Sequence, residues 1–237
     1  MKILIAIPAY NEDLILEKNI IKIFEFCQKN LSIGWQVVIA DNNSTDKTAQ
    51  IAKDLATKFS GVEYLFVAQK GKGIAIKTAW QKYQADIYCF MDADLATDLS
   101  ALPELISGIS HGYDVVIGSR FHRQSKVARS STRKIISNGY RLILKVILGL
   151  KINDAPWGFK AIKAKIKEDI LPQVKNNEWF FDSELVVLAE KKGYKIKEIP
   201  VVWHDPRVGE DRSKVNPISL SFEYFKQVLA LKKQLKK

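Results

Sequence analysis

Along the first 120 residues, short apolar runs alternate with segments whose apolar positions recur at helical spacing. KILIAIP (2–8), WQVVIAD (35–41), VEYLFV (62–67), DIYCFMD (86–92) and YDVVIGS (113–119) predict strands. Between them, 14–29, a stretch from an N-cap at Ser44 or Thr45 to about Lys58, 74–83 and 99–109 predict helices. Gly71-Lys72-Gly73 supplies a tight turn before the third of these. Such alternation implies parallel strands joined by right-handed crossovers, an α/β fold with a Rossmann-like, mostly parallel central sheet flanked by helices. Ligands bind beyond the carboxyl ends of strands in such sheets. The segments PAYNE, DNNSTD, QKGKG, DADLATD and GSRF each follow directly on an apolar run, so together they predict one composite site.

The second half reads differently. Residues 130–150 form an amphipathic helix pattern, as one helix or two, with Ile136, Tyr140, Ile143, Ile147 and Leu150 on one face and Lys134, Asn138, Arg141 and Lys145 on another. DAPWGFKAI (154–162) is a loop entering a strand, 179–193 a helix ending at Gly193, and KIKEIPVVW (195–203) a strand. Residues 204–217 form a charged loop, and the last twenty a basic amphipathic helix. No repeat or linker divides the chain, so 1–217 is expected to be one domain and 218–237 a C-terminal helix.

Charge sharpens this picture. The net +11 is divided into −2 over residues 1–120 and +13 over 121–237, and no acidic residue occurs from Val115 to Asn153. The excess is either a solvated basic surface or a face for phosphates, nucleic acid or an anionic membrane. Cys27 and Cys89 lie far apart, which fits a reducing compartment rather than a disulfide framework. The N-terminal segment lacks a signal-peptide pattern, and no window holds the roughly 18 apolar residues of a membrane span.

The candidate chemistry centres on YCFMDADLATD (88–98). Asp92 and Asp94 close a buried strand, and side chains two apart in extended chain point the same way. Two carboxylates without His or Cys suit Mg²⁺ or Mn²⁺; equally, they are where a strand meets water. Asp98 can cap the helix after it. Asp41 could bind a ribose or a base, or serve the loop as a cap. There is no GxGxxG after the first strand and no complete phosphate loop around Lys72, which counts against a dinucleotide-binding dehydrogenase. Asp154, the first acid after the basic stretch, either orients the acceptor, acts as a base, or pairs with an arginine. Asp182 and Glu184 suit capping or a salt bridge. Trp157, Trp179 and Trp203 line a groove or pack in the core.

Taken in order and spacing, PAYNE, DNNSTD, the turn at 71–75, DADLAT and GSR resemble the family-2 glycosyltransferases of the GT-A fold. The basic stretch 130–150, the D-x-x-x-GFK segment at 154–160 and the block WFFDSELVVLAEKKGYKIKEIPVVW are similar to the polyprenyl-phosphate sugar synthases, of glucosyl or mannosyl type. The resemblance implies that Pro8, Ala9, Tyr10, Glu12, Asp41, Lys72, Asp92 and Ala93 hold the nucleotide. It implies that Asp92 and Asp94 bind Mg²⁺ or Mn²⁺, with Arg120 at a phosphate. Mannosyl-type relatives often carry Gln two residues after the second Asp. Here that residue is Ala96, which leans toward the glucosyl group.

The reaction expected on this basis is inverting transfer of a hexose, with UDP-glucose the favoured donor, to a polyprenyl or dolichyl phosphate. Asp94, Asp154 and Arg120 are the candidate catalytic residues; Arg120, Arg129, Ser130, Arg133, Arg212 and Lys214 would bind the acceptor phosphate. The basic helices would lie on an anionic membrane surface, at its cytoplasmic face and without spanning it, or pack on the sheet or a second copy. The alternatives are a related enzyme with a saccharide acceptor and a metal-dependent nucleotidyltransferase. A nucleic-acid binder is disfavoured, because the acidic cluster would repel phosphates and no aromatic–basic recognition motif occurs.

Overall fold

A computed structural model of the chain describes residues 1–128, 131–204 and 217–236, without the side chains of 131–133 and 217–222. The strands are β1 (Lys2–Ala9), β2 (Gly34–Asp41), β3 (Val62–Phe66), β4 (Ile87–Met91), β5 (Val115–Ser119), β6 (Lys126–Val127), β7 (Phe159–Lys163), β8 (Ile196–Pro200) and β9 (Val202–Trp203). The helices are α1 (Leu16–Asn30), α2 (Thr48–Lys58), α3 (Lys72–Lys82), α4 (Leu102–Ser110), α5 (Ser131–Leu148), α6 (Ala164–Asp169), α7 (Phe181–Lys191) and α8 (Pro217–Gln234).

Seven strands form one sheet in the order β3-β2-β1-β4-β7-β5-β8, and β6 pairs with β9 apart from it. All pairings in the large sheet are parallel except those of β7, which runs antiparallel to both β4 and β5. The sheet is covered on both faces, which is why β4 and β5 read as unbroken apolar runs with every residue buried. Alternate side chains feed two cores. Leu4, Ala6, Tyr88 and Phe90 join residues of α3, α5, α7 and α8 on one face. Ile3, Ile5, Ile7 and Cys89 join residues of α1, α2 and α4 on the other. Cys27 and Cys89 are both free and buried there.

The expected strands and helices are present, joined by the unexpected β6 and α6 and with three local differences, while residues 205–216 of the expected charged loop lie outside the described residues. Neither Ser44 nor Thr45 caps α2; the Asp46 carboxylate accepts from Thr48 N at 2.9 Å instead, and Ser44 N is drawn to Asp41 Oδ1 at 3.1 Å. The 99–109 segment opens as a 3₁₀ turn, Leu99–Ala101, because Pro103 suits the first turn of α4. Of the two forms left open for the 130–150 stretch, residues 131–148 take the single helix. The 195–203 run breaks into β8 and β9, the second leaving the large sheet to pair with β6. Asp98 does cap its turn, accepting from Ser100 N at 2.8 Å.

The antiparallel strand matters most for the site. β7 begins where β4 and β5 end. The residues just before it, Asp154 to Gly158, are therefore delivered to the same sheet end as Asp92 and Arg120.

Candidate active site

Three non-glycine residues among those described have positive φ: Asn11 at 53°, Asn43 at 60° and Leu95 at 50°. They follow β1, β2 and β4, and so fall at one end of the sheet. Asn tolerates this conformation; a bulky leucine rarely adopts it, and such strain concentrates at functional turns. Leu95 is held by Asp94, whose Oδ1 accepts from Ala96 N at 3.1 Å, and by its own N–H on Asp92 O at 3.2 Å.

Asp92 is braced from beneath. Lys72 Nζ lies 2.7 Å from Asp92 Oδ1 and 2.8 Å from Asp182 Oδ2, with Lys72 and Asp182 both buried. Burial opposes the charge on Lys72, but the carboxylates of Asp182 and Asp92 outweigh it and push its pKa up. Lys72 is thus a fixed cation under the acidic turn. Asp182 Oδ1 is buried with no hydrogen-bond partner among the described residues. Lys160, fully buried on β7, donates to Trp157 O. Burial drives its pKa down to about 8, against the pull of Asp182. Gly158 has no room for a side chain: a Cβ there would collide with Asp92 Oδ2 and come within 2.7 Å of Lys72 Nζ.

Arg120 and Asp154 form a two-pronged pair, Nε to Oδ2 at 2.9 Å and an Nη to Oδ1 at 2.8 Å. Arg120 N also donates to Oδ2, at 2.7 Å, and the guanidinium stacks 4.0 Å from the Trp157 ring centre. Trp157 is fixed in turn by its N–H on Thr97 Oγ1 at 3.0 Å. The sequence left Asp154 open among three roles; its side chain is fully buried with both oxygens on Arg120, the pairing arrangement.

At the β1–β2 end, Asn11 Oδ1 accepts from Thr45 N at 2.8 Å, and Glu12 N donates to Thr48 Oγ1 at 2.8 Å. These bonds close PAYNE onto DNNSTD. Tyr10 stands half-exposed at the rim, its hydroxyl accepting from Lys70 Nζ at 2.9 Å. Asp41 is buried, with Ser44 N on one oxygen and the Tyr64 hydroxyl, at 3.2 Å, on the other.

Residues 4–171 match the model of the family described as "Glycosyl transferase family 2". The chain belongs to glycosyl transferase family 2. Glycosyltransferase AglD of Haloferax volcanii is 29% identical over 86% of this chain and 33% of its own length. The dolichol-phosphate mannosyltransferase of Pyrococcus furiosus is 29% identical over 98% and 64%. The dolichyl-phosphate beta-glucosyltransferase of Saccharomyces cerevisiae is 28% identical over 85% and 66%. The chain thus spans between a third and two thirds of these relatives. Glucosyl-3-phosphoglycerate synthase from Mycobacterium tuberculosis, solved with Mn²⁺, UDP and glucosyl-3-phosphoglycerate, shares the fold at a TM-score of 0.69 and 17% identity. That likeness covers 99% of this chain and 79% of that one.

In this family 2 chain, the expected residues Asp92, Lys72, Arg120 and Asp154 come together at one sheet end, with Asp94 and Ala93 in the same turn. Pro8, Ala9, Tyr10, Glu12 and Asp41 lie on the neighbouring strand ends. Arg129, Ser130, Arg212 and Lys214 lie outside the described residues, as does the Arg133 side chain. Among the described residues no three His, Cys, Asp or Glu side chains are grouped to cage a metal. Asp92 and Asp94 nonetheless fit Mg²⁺ or Mn²⁺, because such ions are commonly held by one or two carboxylates and completed by phosphate and water. Sequence reasoning gave no individual role to Lys160, Gly158 or Lys70, although GFK (158–160) and QKGKG (69–73) were both noted as segments. Lys160 left a further signal, a lone charge inside the apolar strand FKAI.

The outer face of α5 also departs from expectation. Tyr140, Ile143 and Ile147 do pack inward, beside fully packed Leu144 and Leu148. However, Arg141 leans over Phe121, 4.5 Å from its ring centre, and Lys145 donates to Asn153 Oδ1 at 2.7 Å. Outward stand Ile135, Leu142 and Val146, 72%, 61% and 73% exposed, with Lys134, Ile136 and Asn138 also exposed nearer the start of the helix. On α8, which meets α5 through Tyr224 and Tyr140, Phe225 and Leu229 are likewise exposed. The Phe222 side chain lies outside the description. None of the described helices is long and apolar enough to cross a membrane.

Proposed function

We propose that this protein moves a hexose, glucose foremost, from a nucleotide-diphosphate sugar such as UDP-glucose to a polyprenyl or dolichyl phosphate, with inversion. The observation that carries the reading is the convergence of Asp92, Lys72, Arg120 and Asp154 at one sheet end, in a molecule whose α5–α8 pair turns an apolar face outward. The names of the yeast and Pyrococcus relatives support a lipid-phosphate acceptor, and Ala96, through the resemblance given above, supports glucose over mannose.

In this reading Pro8, Ala9, Tyr10, Glu12, Asp41 and Ala93 surround the nucleoside. Asp92 and Asp94 would hold Mg²⁺ or Mn²⁺, which neutralises charge on the departing diphosphate. Arg120 meets a phosphate with a guanidinium already oriented by Asp154 and Trp157. A phosphate monoester has a second pKa of about 6 and is ionised at neutral pH, so the acceptor needs no base. Asp154 then orients Arg120 rather than accepting a proton. Arg129, Ser130, Arg133, Arg212 and Lys214 complete the acceptor-phosphate site. Residues 1–217 carry the chemistry, and the final helix adds to the membrane-facing wall. These residues would dock at the cytoplasmic face of the bilayer through α5 and α8.

The test is UDP release from UDP-glucose by the full chain on vesicles carrying polyprenyl phosphate. Release should require both the lipid phosphate and Mg²⁺ or Mn²⁺. Asp94→Asn should lower turnover by at least about 100-fold, on the scale of losing one electrostatic stabiliser, with the melting temperature unchanged. Equal release without lipid or without ion would sink the reading.

A further inference from the structure

Between the turn at Leu171–Gln173 and α7, the chain runs without helix or strand, yet it is tied down at nearly every residue. Buried Glu184 accepts from Lys175 N at 3.1 Å and Asn176 N at 2.8 Å. Buried Lys77 donates to Val174 O at 2.6 Å and Asn177 Oδ1 at 2.9 Å. Ile74 N donates to Asn177 O at 2.9 Å, and at Gly73 a Cβ would come within 2.9 Å of the Asn177 carbonyl carbon. Two buried charges are a costly way to fix a loop, since each must be desolvated and fully bonded.

What the loop presents is Trp179. Phe180 and Phe181 beside it are buried, whereas Trp179 is 46% exposed. A single exposed aromatic needs no explanation by itself; this one differs in its scaffold and its neighbour. Lys72 Nζ lies 5.3 Å from the Trp179 ring centre, and the same nitrogen is 2.7 Å from Asp92 Oδ1. One ammonium therefore links the indole to Asp92, one of the two carboxylates that would hold the metal in the reading above. The sugar of a donor whose diphosphate met the acidic turn would come near this ring. A hexose has an apolar C–H face, and rigid aromatic surfaces line sites for such ligands.

We propose that Trp179 is the platform on which the donor hexose stacks, a specificity residue that grips the sugar and not the nucleotide. This rests on the nucleotide-sugar reading above. Calorimetric titration of the full chain with UDP and with UDP-glucose, both with Mn²⁺, separates the two. In Trp179→Ala, UDP affinity should stay within about twofold while UDP-glucose affinity falls about tenfold, the size of one aromatic contact. Trp179→Phe should keep most of the affinity. Trp179→Leu, which preserves apolar bulk without a flat ring, should behave like Ala, and melting curves of all three should overlay the parent. Equal losses for UDP and UDP-glucose, no loss for either, or a change confined to the KM for polyprenyl phosphate would each overturn the proposal. Failure of the unaltered protein to bind UDP-glucose would instead remove the parent reading along with this one.

Discussion

At the scale of single residues, the site is a set of charges held under restraint. Lys72 sits between two carboxylates, and buried Lys160 donates to the Trp157 carbonyl. Lys160 yields a pH prediction. Its pKa drops from 10.5 to about 8 on folding, so between these values the unfolded chain binds more protons. Stability from this group is therefore missing below about pH 8 and gained as pH rises toward 10.5. In urea unfolding, the parent should gain on Lys160→Met by on the order of 2 kcal/mol from about pH 7.5 to about pH 9.5. A gap between the two proteins that is constant with pH would show that Lys160 keeps its proton on folding, with no lowered pKa. Asp92 and Asp94 were legible because strand-end acids stand out against an apolar run. The Lys72–Asp182 bridge was not, since it joins residues 110 apart in sequence and local pattern carries no such distance.

At the scale of elements, α5 carries two apolar stripes. The periodicity of Tyr140, Ile143 and Ile147 was readable and identifies the inward stripe. The outward one was harder to see. Ile135, Leu142 and Val146 are interleaved with Arg141 and Lys145, whose charges made that side look solvated until their heads proved to turn toward Phe121 and Asn153. Long cationic side chains can cover apolar neighbours in this way. The outward stripe is what should enter a bilayer. Leu142→Ser combined with Val146→Ser should weaken sedimentation with phosphatidylserine-containing vesicles by about tenfold or more, given the apolar area withdrawn. Both residues are more than half exposed, so the melting temperature should hold. Undiminished vesicle binding would move the docking face elsewhere.

At the scale of the whole molecule, the parallel half of the sheet followed from alternation alone, because crossovers leave a strand–helix rhythm in the sequence. The direction of β7 did not, since an apolar run reads the same whichever way the strand points. That strand also sets a schedule for synthesis. With β7 lodged between β4 and β5, a nascent chain ending before residue 159 has both neighbours made and the gap between them unfilled. Two apolar strands then offer open backbone edges at once, the condition under which growing chains misassociate or recruit chaperones. Ribosome-arrested chains with residues through 150 emerged should be cleaved readily by a dilute protease, and those with residues through 205 emerged should resist it. Equal resistance at both lengths would mean the early strands close on each other without waiting for the wedge.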